Sequence, residues 1–155
     1  MEELFAGRNL DLEAMYLNMK HLMDEEGLPY SRRSHTYNSR LAQELAKWAD
    51  SQAGGAALHD AFYTAYFVDG INLADPRALL GLVDEAGLDA GVARDVLVDR
   101  AFAELVNQDW QLAHQYGVTG VPTFVADGRA AVGAQDYEIL EQLVIQAGAE
   151  KRSAS

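Results

Sequence analysis

The 155-residue sequence predicts an α/β fold that is mainly helical, with a β-hairpin and one helix at its C-terminal end. Before the hairpin, apolar residues recur every three or four positions, which is the period of amphipathic helices. Two short β-rich segments follow, joined by Asp127-Gly128. This dipeptide is a strong hairpin signal, because a type I′ turn needs positive φ at both central positions. We therefore predict a helical domain over residues 9–116, a hairpin and helix over residues 117–148, and a polar tail over residues 149–155.

The first predicted helix begins near Asn9–Asp11, which are good N-cap residues, and ends around Glu25, with Gly27 as a candidate for the C′ position. Its apolar residues form one stripe that we expect to face the core. The stripe is rich in methionine and consists of Leu12, Met15, Tyr16, Met19, Leu22 and Met23.

Five further helices are predicted before the hairpin. Asn38 or Ser39 caps the second, Asp75-Pro76 starts the fourth with an N-cap followed by proline, and Asp89 caps the fifth. The predicted spans are residues 39–52, 57–68, 76–87, 89–98 and 100–116. The predicted inward-facing residues of the second and third helices are Leu41, Leu45, Trp48, Ala49, Leu58, Ala61, Phe62, Ala65 and Tyr66.

The hairpin is predicted to pair residues 123–126 with residues 129–133. Pro122 directly precedes the first strand, where its missing N–H removes no interior ladder bond. A last helix is predicted over residues 137–147, with Gln135 or Asp136 as its cap.

Composition and charge exclude several classes of function. The net charge of −12 and the pI near 4.5 argue against nucleic acid as a partner, since phosphate binding needs clusters of Lys and Arg. No apolar run reaches the length needed to span a membrane, and the N-terminal residues lack the basic region of a signal peptide. The absence of cysteine excludes disulfides and zinc–thiolate sites, and we expect a cytoplasmic protein.

No catalytic, metal or cofactor motif is present in the sequence. The four histidines, His21, His35, His59 and His114, form no His-x-x-x-His pattern, and we expect surface or capping roles for them. The sequence has no Gly-x-Ser-x-Gly elbow, no phosphate loop and no dinucleotide-binding fingerprint. We therefore expect no metal, no cofactor and no catalytic residue.

Several separated motifs resemble the DsbA family of thioredoxin-fold proteins, and most of all its FrnE-like branch of dithiol–disulfide isomerases. The longest is Gly-Val-Thr-Gly-Val-Pro-Thr-Phe-Val-Ala-Asp-Gly at residues 117–128, followed by Ala-Val-Gly-Ala-Gln-Asp at residues 131–136. Residues 38–46, 65–75 and 85–89 agree in the same order, so the resemblance covers nearly the whole chain. It implies a truncated thioredoxin-like fold and a cis peptide bond at Val121-Pro122.

The same resemblance implies that a family segment is missing. The family begins with a strand, a Cys-x-x-Cys motif that opens a helix, and a second strand, whereas this sequence contains no cysteine. A dithiol reaction needs a thiolate nucleophile and a resolving thiol. We therefore expect these residues alone to be inactive in redox chemistry.

The resemblance also implies a binding site at the cis-proline loop, made of Gly120, Val121, Pro122 and Thr123. In thioredoxin-like proteins the main chain before this proline pairs with a substrate peptide or with glutathione, as an added strand pairs with a sheet edge. The alternative is that the proline only shapes the start of the strand.

A second resemblance, to 2-hydroxychromene-2-carboxylate isomerase and the kappa-class glutathione transferases, involves residues 133–136. It implies that Gln135 and Asp136 bind glutathione, with Asp136 contacting its amino group. The alternative role of Asp136 is to cap the last helix.

The outer edge of strand 123–126 is predicted to form a homodimer interface. The resemblance implies that its usual neighbouring strand is missing, and an unpaired apolar edge seeks a partner. A separate chain that supplies the missing strands, or a longer protein, is the alternative.

Three functions remain open from the sequence: a DsbA/FrnE-like oxidoreductase, a glutathione-dependent isomerase relative, and a non-catalytic dimeric interaction module.

Overall fold

The computed structural model describes residues 11–150 and Arg152, which form seven helices and one two-stranded sheet. The elements in chain order are α1 Leu12–Glu25, α2 Arg40–Ala49, α3 Ala56–Phe67, α4 Pro76–Glu85, α5 Ala90–Asp99, α6 Ala103–Gln115, β1 Thr123–Ala126, β2 Arg129–Val132 and α7 Tyr137–Gln146. This order confirms the predicted fold class of a mainly helical region followed by a hairpin and a helix. The predicted cap at Asn9 lies outside the described residues.

Two units make up the chain, residues 1–106 and residues 107–155. The division falls inside α6, so its first residues belong to unit 1 and the rest belong to unit 2. The predicted boundary between residues 116 and 117 stays a prediction.

Aspartate and asparagine side chains start four of the helices as predicted. The side chains of Asp11, Asp75 and Asp89 accept hydrogen bonds from main-chain N–H groups of the first turn, at 2.8–3.0 Å. Asn38 Oδ1 accepts a hydrogen bond from Arg40 N at 2.8 Å. Each bond satisfies one of the N–H groups that a helix start leaves without a partner.

Helices α2 to α5 hold the core of unit 1. α2 packs against α3 and α5, and α4 packs against both α3 and α5. Most of the predicted inward-facing residues of α2 and α3 are buried, and Leu41 and Tyr66 pack at the margin of the core. The fully buried side chains that define this core include Leu45, Ala49, Leu58, Leu79, Val83 and Ala93.

The predicted core role of the α1 stripe is wrong. None of the residues of α1 is buried, and Met15 and Met19 are 51% and 41% exposed. α1 instead contacts the rest of unit 1 through polar and aromatic groups: Tyr16 stacks on Tyr30 at 5.9 Å, and Glu13 forms an ion pair with Arg32. The 3.6-residue period identified the helix correctly, but it did not show whether the apolar face is covered.

The predicted start of α6 near Arg100 is also wrong, because Arg100 ends α5 in the left-handed conformation with φ 53°.

The side chain of Arg100 binds the buried carboxylate of Glu44 with two hydrogen bonds, of 2.7 Å from Nε and 2.6 Å from Nη2. Arg40 Nε donates to the same carboxylate at 2.7 Å, and Arg40 Nη2 donates to the carbonyl of Ala103 at 2.7 Å. The network connects α2 to the turn between α5 and α6, and Arg100 and Arg40 hold the pKa of Glu44 below its ordinary value.

Unit 2 contains the hairpin and α7, which packs on both strands. Thr123 is opposite Val132 and Ala126 is opposite Arg129, so two residues, Asp127 and Gly128, form the turn. Their φ values of 46° and 72° confirm the predicted turn with two positive φ angles. No described residue of unit 2 is buried.

Candidate functional site

The loop that leads into β1 brings together Gly120, Val121, Pro122 and Thr123, the residues that the resemblance singled out. The Val121–Pro122 peptide bond is cis, which confirms that expectation. Thr123 Oγ1 donates a hydrogen bond to the carbonyl of Gly120 at 2.7 Å. The N–H of Gly133, directly after β2, donates to the carbonyl of Pro122 at 2.8 Å. The loop is therefore tied both to itself and to the second strand of the hairpin.

Val121 is the open part of this loop. Its side chain is 90% exposed, although it is apolar. Within the described part of the chain, neither its N–H nor its C=O has a hydrogen-bond partner. The loop therefore offers one donor, one acceptor and an apolar side chain at a single residue, and none of its four residues titrates near neutral pH. This arrangement can bind an extended main chain, but it cannot transfer a proton.

The outer edge of β1 continues from this loop. Antiparallel strands alternate between residues that bond across the ladder and residues that do not. Because the carbonyl of Pro122 bonds to Gly133, the next bonded pairs are Phe124 with Ala131 and Ala126 with Arg129. Thr123 and Val125 therefore direct their N–H and C=O groups away from β2. Within residues 11–150, β2 is the sole strand that pairs with β1.

Gln135 and Asp136 lie between β2 and α7. Gln135 Nε2 donates to the carbonyl of Val132 at 2.7 Å, so this side chain braces the end of the hairpin. Asp136 occupies the N-cap position of α7, but its side chain makes no capping hydrogen bond. Its main-chain carbonyl accepts from Ile139 and Leu140 instead, at 3.1 and 3.2 Å. The carboxylate of Asp136 is thus exposed at the positive end of a helix.

Among the described residues, histidine and carboxylate side chains do not form a cluster at residues 120–123. Among the described residues, no three His, Asp or Glu side chains are placed to hold a metal ion. His59 contacts Asp50 at 2.9 Å and His21 lies 3.6 Å from Glu25, both on the surface. Glu44, the carboxylate whose pKa is lowered, is part of the ion-pair network with Arg100 and Arg40 in unit 1.

Unit 1 contains a small cavity that the sequence analysis did not predict. It is a cavity of about 80 Å³ whose lining includes Arg33, Ser34, His35, Tyr37 and Tyr66, and we call it the Arg33 pocket. The signal available in the sequence was the pair Arg32-Arg33 in a segment flanked by tyrosines. A basic pair is ordinarily a solvated surface feature, and only the fold shows that aromatic rings stack against both guanidinium groups.

Among the helices of residues 11–150, none combines the length and the hydropathy that a membrane-spanning segment requires.

Comparison with known proteins identifies the family. Residues 7–144 match the model of the DSBA-like thioredoxin domain. The structure of a probable DsbA oxidoreductase from Streptomyces coelicolor is similar with a TM-score of 0.83 and 34% identity, covering 99% of this chain and 69% of that one. The structure of a 2-hydroxychromene-2-carboxylate isomerase has a TM-score of 0.71 at 21% identity, covering 88% of this chain and 66% of that one, and shows the shared fold alone.

Two curated relatives are Na⁺/H⁺ antiporters of the NhaA type. The one from Salinispora tropica is 32% identical and the one from Salinispora arenicola is 30% identical, each over 118 residues. The match covers 76% of this chain but 17% of the length of each antiporter. The family model matches most of the chain, and the described fold agrees with the structure at 34% identity. The chain therefore belongs to the family of DSBA-like thioredoxin domains.

Proposed function

We propose that these residues form the substrate-binding part of a thiol–disulfide oxidoreductase or isomerase of the DsbA family, in its FrnE-like branch. The observation that carries the proposal is Val121, whose N–H and C=O have no hydrogen-bond partner among residues 11–150 and lie beside an exposed apolar side chain. A substrate peptide adds to this residue as an extended strand, with main-chain hydrogen bonds for affinity and little demand on sequence. Gly120, Pro122 and Thr123 hold the loop in the receptive shape.

Thiol–disulfide exchange needs cysteine thiols from outside these residues, because the 155-residue sequence contains no cysteine. Exchange begins with attack of a thiolate on a disulfide sulfur, and no residue here supplies one. The residues on their own are therefore expected to bind unfolded substrates without reducing or isomerising their disulfides.

Peptide binding is tested with the substitution Val121→Asp. The probe is carboxymethylated α-lactalbumin, an unfolded chain without free thiols, added to the ¹⁵N-labelled protein in an NMR titration. We expect chemical-shift changes at residues 120–125 in the wild type. Val121→Asp should weaken binding about fivefold or more, because burial of the valine side chain is lost and a charge is placed in the contact.

Val98→Asp is the matched control, since Val98 is also an exposed valine, 74% exposed, but lies on α5 of unit 1. It should leave binding unchanged. Equal affinity of the wild type and Val121→Asp, or shift changes confined to other residues, would contradict the proposed peptide site.

A glutathione site at Gln135 and Asp136 is the second candidate. The observation in its favour is the carboxylate of Asp136, which makes no capping bond and can accept from an ammonium group. Calorimetric titration with reduced glutathione should show binding that Asp136→Asn weakens and that Asp95→Asn, at an exposed position of α5, does not. If the titration of the wild type with glutathione gives no binding heat, the glutathione site is wrong, whereas the proposed peptide site is unaffected.

The outer edge of β1 is proposed to pair with the same edge of a second copy, which gives a four-stranded antiparallel sheet. Its support is the outward N–H and C=O groups of Thr123 and Val125. Size-exclusion chromatography with light scattering should then give about 34 kDa, twice the chain mass of 17.0 kDa.

Val125→Pro removes an outward N–H while leaving the bonds to β2 intact, and it should give the mass of a single chain. Val132→Pro is the control, because it makes the same change on the outer edge of β2. A single-chain mass for the wild type would contradict the dimer.

A cytoplasmic location is part of the proposal and rests on the cysteine-free composition. Cell fractionation with compartment markers tests it.

A further inference from the structure

Arg33 differs from Arg32, Arg40 and Arg100 in the groups that its guanidinium contacts. Its guanidinium carbon lies 4.3 Å from the ring centre of Tyr66 and 5.0 Å from that of Phe67. Arg32, Arg40 and Arg100 each contact a carboxylate, at Glu13 or Glu44. Arg33 makes no ion pair with the described residues, and its Nε is buried without a hydrogen-bond partner. Two aromatic rings, rather than hydrogen bonds, fix its position.

This arrangement leaves the hydrogen-bonding capacity of Arg33 unused. Stacking on ring faces stabilises the planar cation and orients it, but uses none of its five N–H donors. A buried donor without a partner is unfavourable and uncommon in folded proteins. The Nη groups of Arg33 are not among the buried unpaired atoms and make no hydrogen bond with the described residues, so the ring-stacked cation has these donors left for a ligand.

The cavity beside Arg33 has the composition of an anion site. Its seven lining residues include two arginines, three residues with hydroxyl groups and one histidine, and none is acidic. Ser34 Oγ and His35 Nδ1 are 2.8 Å apart, and the rings of His35 and Tyr37 stack at 5.9 Å. The charge of Arg32 is balanced by its ion pair with Glu13, so Arg33 is the lining arginine whose charge no described carboxylate pairs.

The size of the cavity limits what enters. At about 80 Å³ it holds one small charged group. Pockets that enclose a whole drug-sized ligand measure roughly 300–1,000 Å³. A planar carboxylate matches the guanidinium fork and carries a single charge. A phosphate brings more negative charge into the field of an acidic protein, which costs more free energy.

We propose that the Arg33 pocket binds the carboxylate of a small organic acid, with Arg33 as its counter-ion and the rings of Tyr37 and Tyr66 against the organic part. All of these residues belong to unit 1. The proposal therefore does not rest on the cis-proline loop, and either can fail without the other.

The test is an NMR titration of the ¹⁵N-labelled chain at constant ionic strength, with benzoate, acetate, inorganic phosphate and chloride as probes. We expect saturable shifts at residues 32–37 and 66–70, with benzoate binding more tightly than acetate and a Kd on the order of 1 mM. Chloride should produce no saturable shift. Tighter binding of phosphate than of both carboxylates would overturn the proposal, as would the absence of saturation by benzoate.

Substitutions at Arg33 separate a ligand contact from general charge. Arg33→Gln should weaken benzoate binding about tenfold or more, and Arg33→Lys, which keeps the charge but lacks the planar fork, should fall in between. Arg94→Gln is the matched control, because Arg94 is an exposed arginine of α5 and is absent from the pocket lining. Dispersed amide spectra establish that each variant is folded. Unchanged benzoate affinity in folded Arg33→Gln, or an equal loss in Arg94→Gln, would overturn the assignment.

Discussion

Glu44 shows how one side chain can decide a connection between helices. Its carboxylate is fully buried and accepts hydrogen bonds from two arginines on different parts of unit 1. A buried charge is tolerated only when it is paired and hydrogen-bonded, and both conditions are met here. Arg100 also ends α5 in the left-handed conformation that is common at helix C-termini, where the N–H of Ala101 donates to the carbonyl of Val96 at 3.2 Å.

The pKa of Glu44 makes the stability of unit 1 dependent on pH. The two hydrogen bonds from Arg100, and the one from Arg40, lower this pKa in the folded state from the ordinary value of 4.5, despite the opposing effect of burial. The stabilisation is therefore present above the unfolded-state pKa and is lost as the pH falls through the folded-state pKa.

Glu44→Gln should lower the free energy of unfolding by about 1–3 kcal/mol at pH 7, since hydrogen bonds to a charged group are lost. The difference from the wild type should shrink as the pH falls below the ordinary pKa of 4.5 and through the lower folded-state pKa. Urea unfolding at a series of pH values measures both. Glu85→Gln, at an exposed position of α4, should change stability little. A deficit for Glu44→Gln that stays constant down to acidic pH would contradict the role given to the carboxylate.

The hairpin depends on the geometry of its two-residue turn. Asp127 and Gly128 both have positive φ, and a two-residue turn of this kind matches the right-handed twist of the strands. The contact of Asp127 with Arg129 at 3.0 Å lies on the surface and contributes little.

Gly128→Ala should destabilise the hairpin by about 1 kcal/mol, because a side chain is disfavoured at positive φ. The expected readout is faster amide hydrogen exchange within β1 and β2. Asp127→Asn is the control and should be close to neutral, since asparagine tolerates the left-handed region. Unchanged exchange in Gly128→Ala would show that packing of α7 on the strands, rather than the turn, holds the hairpin.

In the molecule as a whole, the two units differ in how many of their apolar side chains are buried. Unit 1 has a continuous core that includes Leu45, Leu58 and Leu79, each with no exposed area. The described part of unit 2 has no buried residue, and large apolar side chains such as Tyr137 and Val132 are 72% and 57% exposed. Local opening is easiest where few apolar contacts must be broken.

Native-state hydrogen exchange should therefore show stronger protection in α2–α5 than in β1, β2 and α7. We expect the difference to exceed about tenfold in protection factor, which corresponds to 1.4 kcal/mol. Protection of β1 that rises with protein concentration would further support pairing of its edge in a dimer. Equal protection of the two units at low concentration would contradict the burial difference.

The local elements of this fold could be read from the sequence, because their signals are local. Asp11, Asp75 and Asp89 cap their helices, and Asp127-Gly128 turns the hairpin, since each depends on hydrogen bonds or φ angles within a few residues. The family resemblance likewise located the cis bond before Pro122, which the residues alone left undecided.

The long-range features could not be read in this way. Arg100 and Glu44 are 56 positions apart, so their pairing, and the break between α5 and α6 that it accompanies, follow from how the helices pack. The exposure of Met15 and Met19 depends on what covers α1, which helical periodicity does not contain. The Arg33 pocket exists because α3 brings Tyr66 and Phe67 against the segment after α1. Periodicity and capping depend on neighbours in the chain, whereas burial and charge pairing depend on neighbours in space.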